Sequence, residues 1–310
     1  NEWTLRGASL VEKTDLEDTA LVARRDNRRS ADEISMLYLN GVVYGLGTGL
    51  LVALHTQPDS PAGVILPALV LGGAGAGVVA LVDSGRGLGY GVPQAIVSGM
   101  YIGLGEGITW SIWNQARANY YDQWSAKTVA NVIWGAATLG AVGGGAVAAA
   151  YGATPGRASY VSSAALWSGA VIGLAAGATV SDVEKQDDAA LLAAAIGLNA
   201  GVLGGALTAS TVSPSIARVR YLDLGGAAGG LVFGGLYVSA AGRNPNAQAA
   251  MATTALGIAG GVGLSWALTT GMPKDRPANE RAAPPAAVTP GGLTLGVVPG
   301  GATLNAFGWL

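Results

Sequence analysis

The chain predicts an all-α, polytopic membrane bundle of about eight glycine-zipper helices, set out as four helical hairpin repeats with a short β-like C-terminal tail. Three observations carry that expectation. Glycine recurs every fourth residue in four apolar stretches: Gly41/Gly45/Gly49, Gly99/Gly103/Gly107, Gly169/Gly173/Gly177 and Gly226/Gly230/Gly234. Residues four apart share one helix face, so each triplet forms a side-chain-free groove that another backbone can approach. In water each such glycine costs a helix roughly 1 kcal/mol relative to alanine, whereas in lipid small-xxx-small faces are a principal means of helix association. The second observation is compositional: 50 of 310 residues are glycine, 50% are hydrophobic and 12% are charged, about half the charge of an ordinary soluble domain. The third is spacing. Apolar segments long enough to cross a bilayer core succeed one another from residue 35 to residue 271.

Residues 1–34 form a polar N-terminal segment, with Arg24, Arg25, Arg28 and Arg29 among Asp15, Glu17, Asp18, Asp26, Asp32 and Glu33. Leu16, Leu21 and Val22 allow a short amphipathic helix there, and the arginine cluster suits a solvated lead-in or a contact with anionic lipid. Helices are expected over 35–55, 62–82, 93–115, 128–150, 158–180, 188–209, 217–240 and 247–270. Connections at 56–61, 181–187 and 242–246 are short enough to force antiparallel neighbours. The even-numbered helices carry looser small-residue seams, Gly73/Gly77, Gly140/Gly144, Gly197/Gly201/Gly205 and Gly257/Gly261. The triplets are offset by 58, 70 and 57 residues, the longer interval being assigned to the polar connection 114–127. Pro93, Pro155 and Pro214 precede or open helices three, five and seven, where a missing N–H costs nothing. A period of this kind indicates a duplicated unit. A Pro/Ala-rich linker follows over 272–290, and the tail 291–310 reads as two short strands, 293–298 and 302–307, about a turn at 299–301.

Charge supplies a sidedness. Arg86, Arg157, Arg218 and Arg220 precede odd-numbered helices, and both tails are arginine- or lysine-bearing; the opposite connections hold Arg117, Lys127, Lys185 and Arg243 with Asp182, Glu184, Asp187 and Asp188. Eight spans with both tails on the positive side satisfy the positive-inside rule. Trp110, Trp113, Tyr120, Tyr121 and Trp124 fall on the other side, as an interfacial aromatic belt would.

Candidate chemistry is sparse. Glu106, between Gly105 and Gly107 near the end of a span, is a carboxylate held by hydrogen bonds or water, or an ion or proton site. Asp223 stands three residues after Arg220, a spacing that allows a same-face ion pair. Asn40 and Asn199 adjoin glycines where an amide can bond across a close helix contact. The single histidine, His55, ends the first helix and is placed at the interface. Gly45–Gly49 and Gly85–Gly89 lack the strand-loop-helix setting of a nucleotide loop. With no cysteine, one histidine and a net charge of −2, the sequence offers no disulfide, thiolate metal site, triad or nucleic-acid face. No enzyme site and no cofactor is expected. The chain starts at Asn1 rather than methionine, consistent with processing or a longer precursor, and no signal-peptide pattern is visible.

The segments Pro93–Gly99, Ala158–Gly169 and Ser213–Gly226, with Ile196–Gly201 and the glycine-rich Gly291–Leu310, resemble a class of Gly/Ala-rich repeat envelope proteins of myxobacteria-like bacteria. The resemblance covers roughly residues 35–271. It implies a multi-pass protein of a bacterial cell envelope, inner or outer membrane, and transfers no catalytic residue. The function expected is a structural or assembly subunit packing through glycine grooves, with the lipid bilayer, other copies and other envelope subunits as partners. Two alternatives stand beside it: a transporter or channel using intramembrane polar residues such as Glu106, and a secreted or outer-membrane assembly protein that does not span the bilayer.

Overall fold

A computed structural model describes residues 3–6, 9–12, 30–84, 88–118, 122–275, 293–298 and 301–306, without the side chains of residues 183–185 or of the strands. Among these, eight helices follow one another: α1 Ala31–Thr56, α2 Pro61–Ser84, α3 Val92–Arg117, α4 Ala126–Tyr151, α5 Pro155–Thr179, α6 Val183–Val212, α7 Ile216–Ala241 and α8 Ala247–Leu268. At 1.5 Å per residue they run about 33–45 Å, enough to cross a hydrocarbon core of about 30 Å. The polar N-terminal segment contains a hairpin that its composition did not suggest, β1 Trp3–Arg6 with β2 Ser9–Glu12. The expected amphipathic helix around Leu16, Leu21 and Val22 lies outside the described residues. The C-terminal hairpin, β3 Leu293–Val298 with β4 Gly301–Ala306, falls within one residue of the expected strands.

Caps set the helix starts. The side chains of Ser125, Thr154, Ser215 and Asn246 each accept a backbone N–H three residues on, which satisfies one donor that every helix N-terminus leaves open. Ser30 does the same in a full capping box with Glu33. The odd helices have their N-caps at Ser30, Gly91, Thr154 and Ser215, intervals of 61, 63 and 61 residues. This even spacing corrects the 58/70/57 series. The glycine triplets sit at different heights on their helices, and the polar connection after α3 is not what stretched the middle interval.

Consecutive helices pair as hairpins, α1 with α2, α3 with α4, α5 with α6 and α7 with α8. The first three odd triplets line these contacts. A Cβ at Gly99 or Gly103 would meet the carbonyl of Gly140 or Ala136, one at Gly107 would lie 2.6 Å from Ile133 Cα, and Gly140 and Gly144 return the contact to Gly99 and Ala95. Gly41, Gly45 and Gly49 face Gly75, Leu71–Gly72 and Ala68. Gly169 and Gly173 face Ala194 and Ala190, and Gly197, Gly201 and Gly205 face Ser168, Ala164 and Val161. Backbones this close gain dispersion contacts and Cα–H···O contacts that larger side chains would block.

Two expected faces are corrected, and Gly177 serves two helices. On α2 the packed small residues are Ala68, Gly72 and Gly75, while a Cβ at Gly73 or Gly77 meets nothing within 4 Å. On α7 the closest approach to α8 is Gly225 and Gly229 against Gly261 and Gly257. Gly230 and Gly234 face the side chains of Ile258 and Thr254, and Gly226 turns away to the ring of Trp167 on α5. Gly177 lies between Ala190 and Met251 of α8.

The odd helices form a row, α1–α3–α5–α7, in which each touches the next. Each later even helix also leans back on the odd helix of the preceding hairpin, α4 on α1, α6 on α3 and α8 on α5. Among the described residues the array is therefore open-ended: α2 has one substantial partner, α1, and α7 has two, α5 and α8.

Candidate functional site at the seams between hairpins

The side chains singled out by chemistry gather where one hairpin leans on another. Each seam is keyed sterically by one large side chain over a glycine. The Trp134 ring of α4 lies against Gly47 of α1, Leu198 Cδ1 of α6 would be 2.8 Å from a Cβ at Gly105 of α3, and Met251 Sδ of α8 would be 2.7 Å from one at Gly177 of α5. Trp167 of α5 fits over Gly226 of α7 in the same manner. Gly47 and Gly105 belong to no triplet, and only the spatial pairing exposes their role.

Polar groups tie the same seams. Tyr101 of α3 donates to Asn40 Oδ1 of α1 at 2.7 Å, and the Asn40 amide donates to the Met36 carbonyl at 2.8 Å. Trp134 Nε1 donates to Thr48 Oγ1 at 2.9 Å, beside a hydrogen bond between Tyr44 and Thr138. Asn199 of α6 donates to Glu106 Oε1 at 2.5 Å, and Trp110 Nε1 donates to Glu106 Oε2 at 2.8 Å. Ser163 and Trp167 of α5 donate to Asp223 Oδ1 at 2.5 and 2.9 Å. The Asn40 and Asn199 bridges agree with expectation. The proposed Arg220–Asp223 pairing does not describe the bonds seen, because Asp223 points across to α5, where two donors converge on one oxygen.

At the N-terminal ends of the odd helices lies a third layer. Glu33, wholly buried, accepts from Ser30 N at 2.8 Å, from Ser30 Oγ at 3.0 Å and from Gly91 N at 2.7 Å. It thereby joins the start of α1 to that of α3. Gly91 has φ of 85°, and a Cβ there would strike the Ala153 carbonyl, so conformation and space both require glycine. Beyond α8 the chain turns back. Lys274 bridges to Pro214, and Asp275 N donates to the Ser213 carbonyl at 2.8 Å. The Asp275 carboxylate accepts from Gly156 N at 2.8 Å and from Tyr90 OH at 2.8 Å, placing negative charge at the positive end of α5. Two arginines of the positive-side set turn inward: Arg157 Nη2 donates to Ser213 Oγ at 2.9 Å, and Arg218 donates to Thr269 Oγ1 at 3.3 Å while lying 4.3 Å above the Trp266 ring. Arg86 lies outside the described residues.

At the other end of the array, Trp110 packs edge-on against Trp113 and Arg117 stacks over Trp113 at 5.0 Å. Trp124 is held by Asn114 and Gln115. Tyr120 and Tyr121 are outside the described residues. His55 ends α1 as expected, its ring 3.3 Å from the Asn131 amide and its carbonyl accepting from Lys127 Nζ at 3.2 Å.

Between α2 and α4, which are not substantial partners, a groove of about 380 Å³ opens over α1 and α3. Leu37, Leu71, Val78, Val79 and Met100 give it an apolar wall, with Asn40, Tyr44, Thr48 and Thr138 along the floor and side.

Seven of the eight helices are long and apolar enough to cross a membrane. The chain is a multi-pass membrane protein. The exception, α3, carries Gln94, Ser98 and Glu106, yet it packs along the whole of α4, which does qualify. Its neighbours α1, α4, α5 and α6 shield it, so it needs less apolar surface of its own. In comparisons with known proteins no family model, no curated protein and no solved structure matches the chain.

Proposed function

We propose that this protein is a structural or assembly subunit of a bacterial cell envelope complex, a duplicated glycine-zipper scaffold without enzymatic activity. One observation carries the reading: four acceptor side chains within the spans are engaged in ties between hairpins. Asn40, Thr48, Glu106 and Asp223 each accept from a side chain on another hairpin. Groups so engaged stiffen an array, and interhelical bonds in lipid contribute on the order of 0.6–2 kcal/mol each.

A second reading, transport, keeps one supporting observation. Glu106 and Asn199 form their bond at an exposed edge, and intramembrane carboxylates mark ion and proton paths in many carriers. Reconstitution decides between them. Purified protein in liposomes is expected to leave proton, cation and small-solute fluxes at the level of empty vesicles, with Glu106→Gln unchanged. A flux that appears with the wild type and is lost in Glu106→Gln overturns the scaffold reading.

A further inference from the structure

The seams follow a packing rule that the two ends of the array leave unfinished. An even helix packs one face on its own hairpin partner and a second face, further round the helix, on the odd helix of the preceding hairpin. On α4 the first face is Ile133, Ala136 and Gly140, and the second is Asn131, Trp134 and Thr138. On α2 the first face is Ala68, Gly72, Gly75 and Val79, all turned to α1. The same rotation from it leads to Leu66, Leu69, Gly73 and Gly77. Among the described residues nothing covers them: Leu66 and Leu69 are each 62% exposed, and a Cβ at Gly73 or Gly77 meets nothing within 4 Å.

The opposite end is the matching half. Every odd helix except α7 receives an even helix from the next hairpin. The side of α7 that would do so bears Leu224, Ala228, Leu231 and Gly235, at the 3- and 4-residue spacing of a helix seam. Leu224 and Leu231 are 64% and 77% exposed, and a Cβ at Gly235 meets nothing within 4 Å. The internal seam is antiparallel, with Tyr44 at Thr138 and Gly47 at Trp134. Running α2 against α7 in that sense with Leu231 opposite Gly73 sets Gly235 opposite Leu69, Ala228 beside Gly77 and Leu224 opposite Ala80. A large residue meets a small one at three of these four levels, as it does at Trp134/Gly47, Leu198/Gly105 and Met251/Gly177.

We infer that α2 of a second copy of this chain packs on α7, continuing the row of hairpins head to tail. The inference rests on the scaffold reading and names its partner. Such a contact is heterologous, so copies form either a closed ring or a linear row according to the rotation between them. The expected small residues of α2, Gly73 and Gly77, which the single chain leaves unused, then acquire a counterpart.

The absence of cysteine makes the test direct. In membranes holding the full chain, the double variant Gly73→Cys/Leu231→Cys is expected to give a ladder of dimer, trimer and higher species on mild oxidation. Mixed single-cysteine variants should stop at a dimer joining the two positions, and Val78→Cys/Leu231→Cys, with the first site turned to the groove, should give at least tenfold less. Adding Gly77→Leu and Gly235→Leu should abolish the ladder while the melting temperature of the detergent-solubilised monomer stays within a degree or two, since both sites face open space. A ladder no stronger than that of the Val78 control, or either single-cysteine variant cross-linking chiefly to itself, overturns the inference: lipid alone, or a face-to-face dimer, then covers these faces. Flux in dilute liposomes is read separately, so the scaffold reading and the head-to-tail contact can fail independently.

Discussion

Asp223 shows how one side chain can hold two helices. Its Oδ1 takes hydrogen bonds from Ser163 and Trp167, and the Trp167 ring lies over Gly226 a turn further along α7. Removing the acceptor leaves two donors in the α5–α7 seam without it. Asp223→Ala is therefore expected to lower the stability of the detergent-solubilised protein by about 1–2 kcal/mol, read as a fall in melting temperature, whereas Arg220→Ala leaves it unchanged. An ion pair between the two residues would make both substitutions cost alike. At Gly91 the reason is backbone geometry: with φ of 85° and the Ala153 carbonyl where a Cβ would go, Gly91→Ala should cost more than Ser30→Ala. Ser30→Ala removes one cap, worth about 1 kcal/mol, and the two melting curves measured side by side give the order. Glu33 carried a legible signal that composition hid, since Ser-x-x-Glu ahead of an apolar run is a capping box. Asp275 carried none, because its partners Gly156 and Tyr90 lie 119 and 185 residues away.

At the level of the helix, periodicity told where elements lie but only partly which way they face. The eight helices start and end within a few residues of expectation, because apolar length and flanking turn residues bound them directly. Their orientation was less legible. An i, i+4 glycine pattern marks a face without saying what covers it, and α2 contains two overlapping sets, Gly73/Gly77 and Ala68/Gly72/Gly75, of which the fold uses the second. On α7, likewise, of the adjacent glycines at 225/226 and 229/230, Gly226 serves α5 and the other three serve α8. The key residues Trp134 and Leu198 looked like any large apolar residue, for their meaning depends on Gly47 and Gly105 in another hairpin. A pair of substitutions separates the two kinds of glycine. Gly99→Leu places side-chain atoms on the Gly140 carbonyl and is expected to abolish folded, monodisperse protein in size-exclusion chromatography; Gly73→Leu should elute and melt as the wild type does in detergent.

For the molecule as a whole, the seven qualifying spans lead to a simple expectation: alkaline carbonate and high salt leave the protein in the membrane pellet, and detergent releases it. Recovery in the carbonate supernatant would contradict the fold. The segment after α8 has a further consequence, which concerns the order of synthesis. Spans enter a bilayer as they are made, yet the Asp275 carboxylate that seals Gly156 and Tyr90 is translated after all eight helices. Until it arrives, the backbone N–H of Gly156 in the first turn of α5 lacks that acceptor. A nascent chain halted before residue 275 thus differs from one extended past it at its own middle, in the first turn of α5.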